Sequence, residues 1–521
     1  MQRLFAFLFL FTLVVTGSPA LSLANPGPDP ATSVRITPPP PQFSDAERQA
    51  ELARRRAAVA AKMTDKSMLI MFSTEPKLYT NDVDYVYRQE NNLYYLTNLK
   101  QDNATLVITK DGANVKETLF LPKRVATREA WTGKMYSREQ ATATSGVSTI
   151  VDSSELQAFL KAVKERSTFA SKGGDVSIPT NVEKLYLLLP RADQDENGKR
   201  EFTRELDFSS QGSEQKIENA RPIFDDLRHI KSPYELKLLQ HAIDITTEAQ
   251  MRSMAMVGRA KWEYEVQAEV EYTFRRRNAD FWGYPSIVGC GPNATTLHYV
   301  ESQGDVKKGN LLLMDVGAEY EHYTADVTRT YPVNGKFTKE QADIYRIVYD
   351  AQEAVGRATK PGATMADLSK IATDTIADGL MKLGLIEKKE QTRLWFIHGL
   401  GHWLGMNVHD VGRYGVPLKA GMVFTNEPGI YIREDVLDNL PKTPENAAFI
   451  AKVRPVFEKY KNIGVRIEDD LLVTETGVVW MTGALPRKLE DIEAFMAKSR
   501  KLSYGRSGFQ PTDLTVAMIG R

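Results

Sequence analysis

Apolar runs alternate with polar, helix-periodic stretches along most of the chain, and capping residues mark where elements begin. Ser44-Asp45-Ala46-Glu47 is a capping box and opens a helix to about Lys62. Ser67 to Phe72 (S-M-L-I-M-F) reads as a buried strand. Leu93 to Thr97, Ala104 to Thr109 and Thr118 to Leu121 read as further strands. A helix over 154–166 and a strand over 183–189 follow. Strands alternating with helices predict an α/β domain over 44–220. Within it, the polar stretch Arg191 to Gln215 reads as a linker or surface excursion. From Arg221 the pattern changes. Ser232-Pro233-Tyr234-Glu235 joins an N-cap, a proline at the first helical position and a glutamate at the third. That helix runs to about Met256, and another covers 261–278. Thr338 to Gln341 and Thr364 to Asp367 cap two more. Two helices followed by a strand-rich segment with polar chemistry thus occur twice, a hint of internal structural duplication without a matching sequence repeat.

The polar positions inside the second half carry the chemistry. Leu311 to Met314 is an apolar strand that ends in Asp315, and Asp326 lies inside a second strand, Thr324 to Thr328. A hairpin turning at Tyr320-Glu321 pairs residues whose numbers sum to 641, which sets Asp315 opposite Asp326. Their Cβ atoms would be about 4.5–5.5 Å apart. Two facing carboxylates need a cation between them, and a pair of metal ions about 3.5–4 Å apart supplies it. Glu427 ends a strand just before the Pro428-Gly429 turn. In Gly464 to Asp470, Arg466 and Glu468 share one strand face, with Val465 and Ile467 on the other. That alternation is also the pattern of an ordinary half-exposed strand.

Three of the seven histidines fall within His398 to Asp410 (H-G-L-G-H-W-L-G-M-N-V-H-D), at 398, 402 and 409. Gly399, Gly401 and Gly405 separate them, so the i, i+4 spacing of His398 and His402 need not lie on a helix. Position 399 is glycine, so the zincin pattern H-E-x-x-H fails. Crowded imidazoles on glycine-rich backbone suit metal binding, proton transfer or both. A structural histidine cluster is the alternative, and the nearby carboxylates weigh against it.

Composition narrows the class. Lys+Arg 67 against Asp+Glu 67 leaves no net charge, so nothing favours nucleic acid or an anionic membrane as partner. A length of 521 residues calls for two or three domains. Arg3, the apolar run Leu4 to Val15 and Ser22-Leu23-Ala24 read as a secretory signal peptide over 1–24. The run is too short for an ordinary membrane span. The leader implies an exported protein, periplasmic or secreted. Residues 25–43 hold seven prolines and read as a polyproline-like tether with no core of its own. Cys290 is the one cysteine, so no internal disulfide forms. A Cys290 nucleophile paired with His298 is conceivable, but Val-Gly-Cys-Gly-Pro reads better as a tight turn after an apolar strand.

The ordered set Asp315, Asp326, His402, Glu427 and Glu468 resembles the five metal ligands of the pita-bread metallopeptidases. The segments H-G-L-G-H-W-L-G-M-N-V-H-D and G-V-R-I-E-D-D-L-L-V-T-E-T-G are similar to the proline-specific branch, the Xaa-Pro aminopeptidases and prolidases. Asp82 to Leu99 and Glu129 to Gly133 resemble the N-terminal domain of aminopeptidase P. The resemblance covers about 44–497. It implies an α/β N-terminal domain over 44–220, an α+β pita-bread domain over 221–500 and a tail over 501–521. It implies cleavage of peptides with a penultimate proline, with prolidase activity as the alternative and a non-catalytic peptide-binding module less well matched. Two divalent ions would be held, with Mn²⁺ best suited to four carboxylates and one imidazole and Zn²⁺ or Co²⁺ also accepted. Glu427 would also move the proton. His298 and His409 would flank the scissile carbonyl, and His398 and Arg466 would contact substrate. A dimer or tetramer is compatible with this reading. Two departures stand out: Asn426 before the glutamate, and a long stretch, 433–461, expected to reshape one rim of the site.

Overall fold

The computed structural model describes residues 34–191, 196–212 and 214–504. The expected signal peptide, the first part of the tether and most of the tail lie outside the described residues. Among those described, no helix is long and apolar enough to cross a membrane.

The first half is built from α1 (Asp45–Lys62), β1 (Ser67–Phe72), α2 (Asn91–Thr97), β2 (Thr105–Asp111), β3 (Asn114–Leu121), β4 (Ile150–Asp152), α3 (Leu156–Lys164), β5 (Lys184–Leu187), α4 (Thr203–Ser210) and β6 (Lys216–Asn219). Its strands form one six-stranded mixed sheet in the order β6-β5-β1-β2-β3-β4. The capping box at Ser44 forms as expected. Three expectations fail here. Leu93 to Thr97 is helical, because Glu90 accepts the Leu93 N–H at 2.7 Å and Asn98 closes the turn in the left-handed region. Six of its seven residues are buried, and a short run buried all round has no period that separates helix from strand. Arg191 to Gln215 is not a plain excursion, since α4 lies within it and Phe202 and Phe208 enter the core. The last ten residues of the tether are docked rather than free. Thr37 donates its N–H and its hydroxyl to Glu248 Oε2 at 2.8 and 2.7 Å, and Phe43 stacks on Tyr234 at 3.9 Å.

The second half opens with α5 (Arg221–His229), α6 (Pro233–Met256) and α7 (Glu263–Arg276). They lead into β7 (Ile287–Cys290), β8 (Leu311–Val316), β9 (Ala318–Tyr320), β10 (Tyr323–Thr324) and β11 (Val327–Pro332). Next come α8 (Lys339–Ala358) and α9 (Met365–Leu383). They lead into β12 (Val423–Asn426), β13 (Gly429–Tyr431), α10 (Pro444–Tyr460), β14 (Gly464–Arg466), β15 (Asp469–Val473), β16 (Val478–Trp480) and α11 (Leu489–Tyr504). Three three-stranded sheets result, and two of them, β7-β8-β11 and β12-β15-β16, are each preceded by a helix pair. All four expected N-caps form, at Ser44, Ser232, Thr338 and Thr364. The stretch 433–461 is mostly α10, whose Phe449, Val453 and Phe457 join the core. The buried residues of α1 and α2, such as Val59 and Tyr95, continue into those of α6 and β8, such as Leu239 and Leu312. One apolar core therefore sets both halves around the polar cluster.

Candidate metal centre

Asp315 sits near the end of β8, and Asp326 follows β10. The expected hairpin register is corrected by two residues. The turn is Glu321-His322, both with left-handed φ (49° and 67°), which is the two-residue geometry that matches strand twist. Tyr320 pairs with Tyr323 and Asp315 with Thr328, so pair sums are 643 and Asp326 lies diagonal to Asp315. A shift of two keeps both carboxylates on one face, because side chains alternate with period two. They still converge. The Tyr284 hydroxyl lies 2.5 Å from Asp315 Oδ1 and 2.6 Å from Asp326 Oδ1.

Glu427 follows β12, and Glu468 lies between β14 and β15. Glu468 is 1% exposed and accepts from the Thr328 hydroxyl at 2.6 Å, which excludes the half-exposed-strand reading. The histidine segment is not helical. Gly401 is required there, since a Cβ would stand 1.9 Å from the Thr425 carbonyl oxygen, whereas a Cβ at Gly399 would meet nothing. That close approach seats His402, whose N–H donates to Thr425 Oγ1 at 3.0 Å. His402 Nδ1 faces the Trp403 carbonyl at 3.2 Å and so carries the proton. Its Nε2 faces Asp326 Oδ2 (3.3 Å) and Glu427 Oε1 (3.4 Å). One ligand atom each from Asp326, His402 and Glu468 lies within 4.8 Å of the others, so these three could hold an ion.

The electrostatics fit a cation. Burial pushes the Asp326, Glu427 and Glu468 carboxyls well above the usual range, and their mutual charges push further. Arg466 is the nearest protein cation. It is 3% exposed and donates to Asp315, to Thr328 Oγ1 (3.0 Å) and to the Tyr431 hydroxyl (2.8 Å). His398 Nε2 meets the same Tyr431 hydroxyl at 2.7 Å, and burial drives its pKa down to about 3. The His409 ring stands edge-on to His402 at 4.2 Å, and burial lowers it to about 4. His298 lies exposed on a turn, and its charge bears on both His398 and His409. Cys290 is buried, and burial pushes its thiol up to about 11, so it is no thiolate at neutral pH.

Several neighbours escaped the sequence reading. Tyr284, Thr328, Thr425 and Tyr431 carry no motif of their own. Asp470, which accepts the Asp326 N–H at 3.3 Å, was visible beside Glu468 as the last of two aspartates. A cleft of about 590 Å³ between the halves reaches the cluster at His409, walled by Arg88 and Asn91 from the first half and Glu319 and Asn407 from the second.

Residues 237–475 match the model of metallopeptidase family M24, and residues 52–170 match that of the aminopeptidase P N-terminal domain. The chain is similar to the Xaa-Pro aminopeptidase of Escherichia coli, 34% identical over 471 residues that span 88% of this chain and 100% of that one. It is similar to Xaa-Pro aminopeptidase 3 of Homo sapiens, 30% identical over 449 residues, 84% of this chain and 82% of that one. Among solved structures it matches Escherichia coli aminopeptidase P with the inhibitor Pro-Leu at a TM-score of 0.74 and 31% identity, covering 88% of this chain and 100% of that chain. Proline aminopeptidase P II from Yersinia pestis matches at 0.73 and 30% identity, covering 86% and 99%.

Proposed function

The chain belongs to metallopeptidase family M24, with a pita-bread catalytic domain behind an aminopeptidase P N-terminal domain, and on that premise we propose that it is a Xaa-Pro aminopeptidase. It hydrolyses the bond between an N-terminal residue and a penultimate proline. The observation that carries the reading is the convergence of Asp326, His402 and Glu468, with Glu427 against His402 and Asp315 joined to Asp326 through the Tyr284 hydroxyl, beside a cleft that reaches His409. Family membership implies divalent metal ions, and the residues present suit them, because buried carboxylates of like charge crowd one another unless a cation lies between. Asp315, Asp326, His402, Glu427 and Glu468 would hold two ions. Their hard, oxygen-rich set favours Mn²⁺, with Zn²⁺ or Co²⁺ as substitutes. Bound ions would supply neutralising charge and a water acidic enough to attack the peptide carbonyl.

The chain's own residues do the rest. Glu427 can take the proton of the attacking water and pass it to the proline nitrogen, which is tertiary and must be protonated to leave. His409, neutral through the physiological range, offers an uncharged N–H to the developing oxyanion, and His298 reaches from the exposed side. His398 and Tyr431 shape the pocket beside them. A proline ring fits a site in which no group needs the N–H it lacks. Prolidase activity is less well supported, since it would recruit Arg466 to the free carboxylate of a dipeptide, and Arg466 is already bonded on three sides. We further propose export directed by residues 1–24.

The test is chelator-stripped protein reloaded with Mn²⁺, Zn²⁺ or Co²⁺ and offered Xaa-Pro dipeptides against Xaa-Pro-Yaa and longer peptides. Release of one N-terminal residue from the longer peptides is expected. Cleavage of dipeptides alone would replace this reading with prolidase.

A further inference from the structure

Each half of the catalytic domain carries one fully buried glutamine on its first long helix, and each donates from its amide to two backbone carbonyls. Gln250 on α6 donates from Nε2 to the carbonyls of Met314 (3.1 Å) and Val327 (2.8 Å). Gln352 on α8 donates from Nε2 to the carbonyls of Asn426 (3.1 Å) and Ile467 (3.0 Å). Met314 precedes Asp315, and Val327 follows Asp326. Asn426 precedes Glu427, and Ile467 precedes Glu468. Every carboxylate of the cluster is therefore next in sequence to a carbonyl held by a glutamine. In both halves the two held carbonyls belong to different chain segments, so the amide spans the gap between two carboxylate-bearing strands.

Both side chains are 0% exposed. An amide NH₂ offers two protons on one atom, which is what two carbonyls a few ångströms apart require. The arrangement has a cost. Gln250 Oε1 has no partner among the described residues, and a buried polar atom without a partner is destabilising. An apolar side chain of the same size would avoid that cost, so the amide is present for its donors. Gln352 is better satisfied, with Arg487 donating to its Oε1 at 3.2 Å and Asp469 accepting at 2.8 Å.

We propose that Gln250 and Gln352 are positioning residues, a matched pair of braces that fix the spacing of the carboxylates in each half and so set the affinity for the ions. Carboxylates brought together repel, and strands free to part would relieve the repulsion by widening the site. Each brace opposes that movement from behind, without touching an ion. The recurrence of two helices and then carboxylate-bearing strands accounts for there being two braces rather than one. The inference rests on the reading that the cluster holds divalent ions.

The experiment titrates chelator-stripped full-length protein with Mn²⁺ alone and follows free Mn²⁺ by electron paramagnetic resonance. Gln250→Met and Gln352→Met keep the volume and remove both donors. Each should weaken Mn²⁺ binding by about 10–100-fold, the usual loss for a group that orients ligands. Gln240→Met is the control, because Gln240 lies on the same helix α6 but donates to the Met481 carbonyl, away from the carboxylates. It should leave affinity unchanged. If a Met variant fails to fold, Gln→Asn at that position, with an arm too short to reach both carbonyls, takes its place with the same expectation. Wild-type binding together with unchanged affinity in the folded variants overturns the braces alone. A wild-type protein that binds no Mn²⁺ overturns the metal reading and the braces with it.

Discussion

His402 and His409 lie with their rings 4.2 Å apart, yet they face different groups. His402 turns its Nε2 to Asp326 and Glu427, whereas His409 opens onto the cleft between the two halves. His402→Ala should therefore lower metal content. His409→Ala should keep the metal and slow turnover by about 10²–10³, the loss expected for a donor to the oxyanion. Metal analysis beside steady-state kinetics decides between them, and equal metal loss in both would erase the distinction. A second residue governs pH behaviour far from the cluster. Glu205 on α4 is 4% exposed, and burial, helped by the Glu90 charge, pushes its carboxyl from 4.5 to about 8. The folded chain keeps this proton where the unfolded chain has released it, so stability falls as pH rises from about 4.5 to 8. Glu205→Gln is neutral at every pH. It should change little at pH ~4 and stabilise by about 1–3 kcal/mol at pH ~8. Thermal unfolding at the two pH values reads this directly, and an equal gain at both would assign the effect to packing.

At the scale of elements, local signals were legible and long-range ones were not. Ser44, Ser232, Thr338 and Thr364 each cap the helix their sequence promised, because a capping box is a contact between residues three apart. The carboxylates and His402 were legible for a different reason: each stands at a strand end or in a glycine-rich turn, where the surrounding pattern isolates it. The hairpin register was missed because Tyr320-Glu321 and Glu321-His322 preserve the same face, and only the turn's left-handed backbone separates them. The helix α2 was missed because burial on every side removes the polar face that would have shown its period. The docking of Thr37 on Glu248 joins residues 211 apart in sequence, and nothing in a proline-rich stretch announces it. Tyr284 and the two glutamine braces belong to this second class. Each acts across a long sequence separation, so its role is set by the fold and not by its neighbours.

At the scale of the whole molecule, the histidine segment is held by both halves at once. Arg228 on α5 is 2% exposed. It donates Nη1 to Asn92 Oδ1 of the first half at 2.8 Å and Nη2 to Asp410 Oδ1 of the second at 2.6 Å. Lys231 adds a longer contact to Asp410 at 3.3 Å, and together the two cations hold that buried carboxyl below its ordinary range against the effect of burial. Asp410 follows His409 directly, so this triad fixes the end of the segment that carries His398, His402 and His409. Arg228→Ala would leave Asp410 with Lys231 as its one remaining cation, at the longer 3.3 Å, and Asn92 with an oxygen whose donor is gone. Breaking a buried pair from one side costs about 3–5 kcal/mol, because the surviving charge stays out of water. The contact between Lys62 and Asp226 also bridges the halves, at 3.0 Å, but both side chains are more than a third exposed. Lys62→Ala should therefore cost no more than about 1 kcal/mol. Denaturant unfolding of the two variants beside the wild type makes the comparison. If both lose equally little, the Arg228–Asp410–Asn92 contact is dispensable to the joining of the halves. If Arg228→Ala loses several times more, one buried cation couples the first half of the chain to the histidine segment of the second.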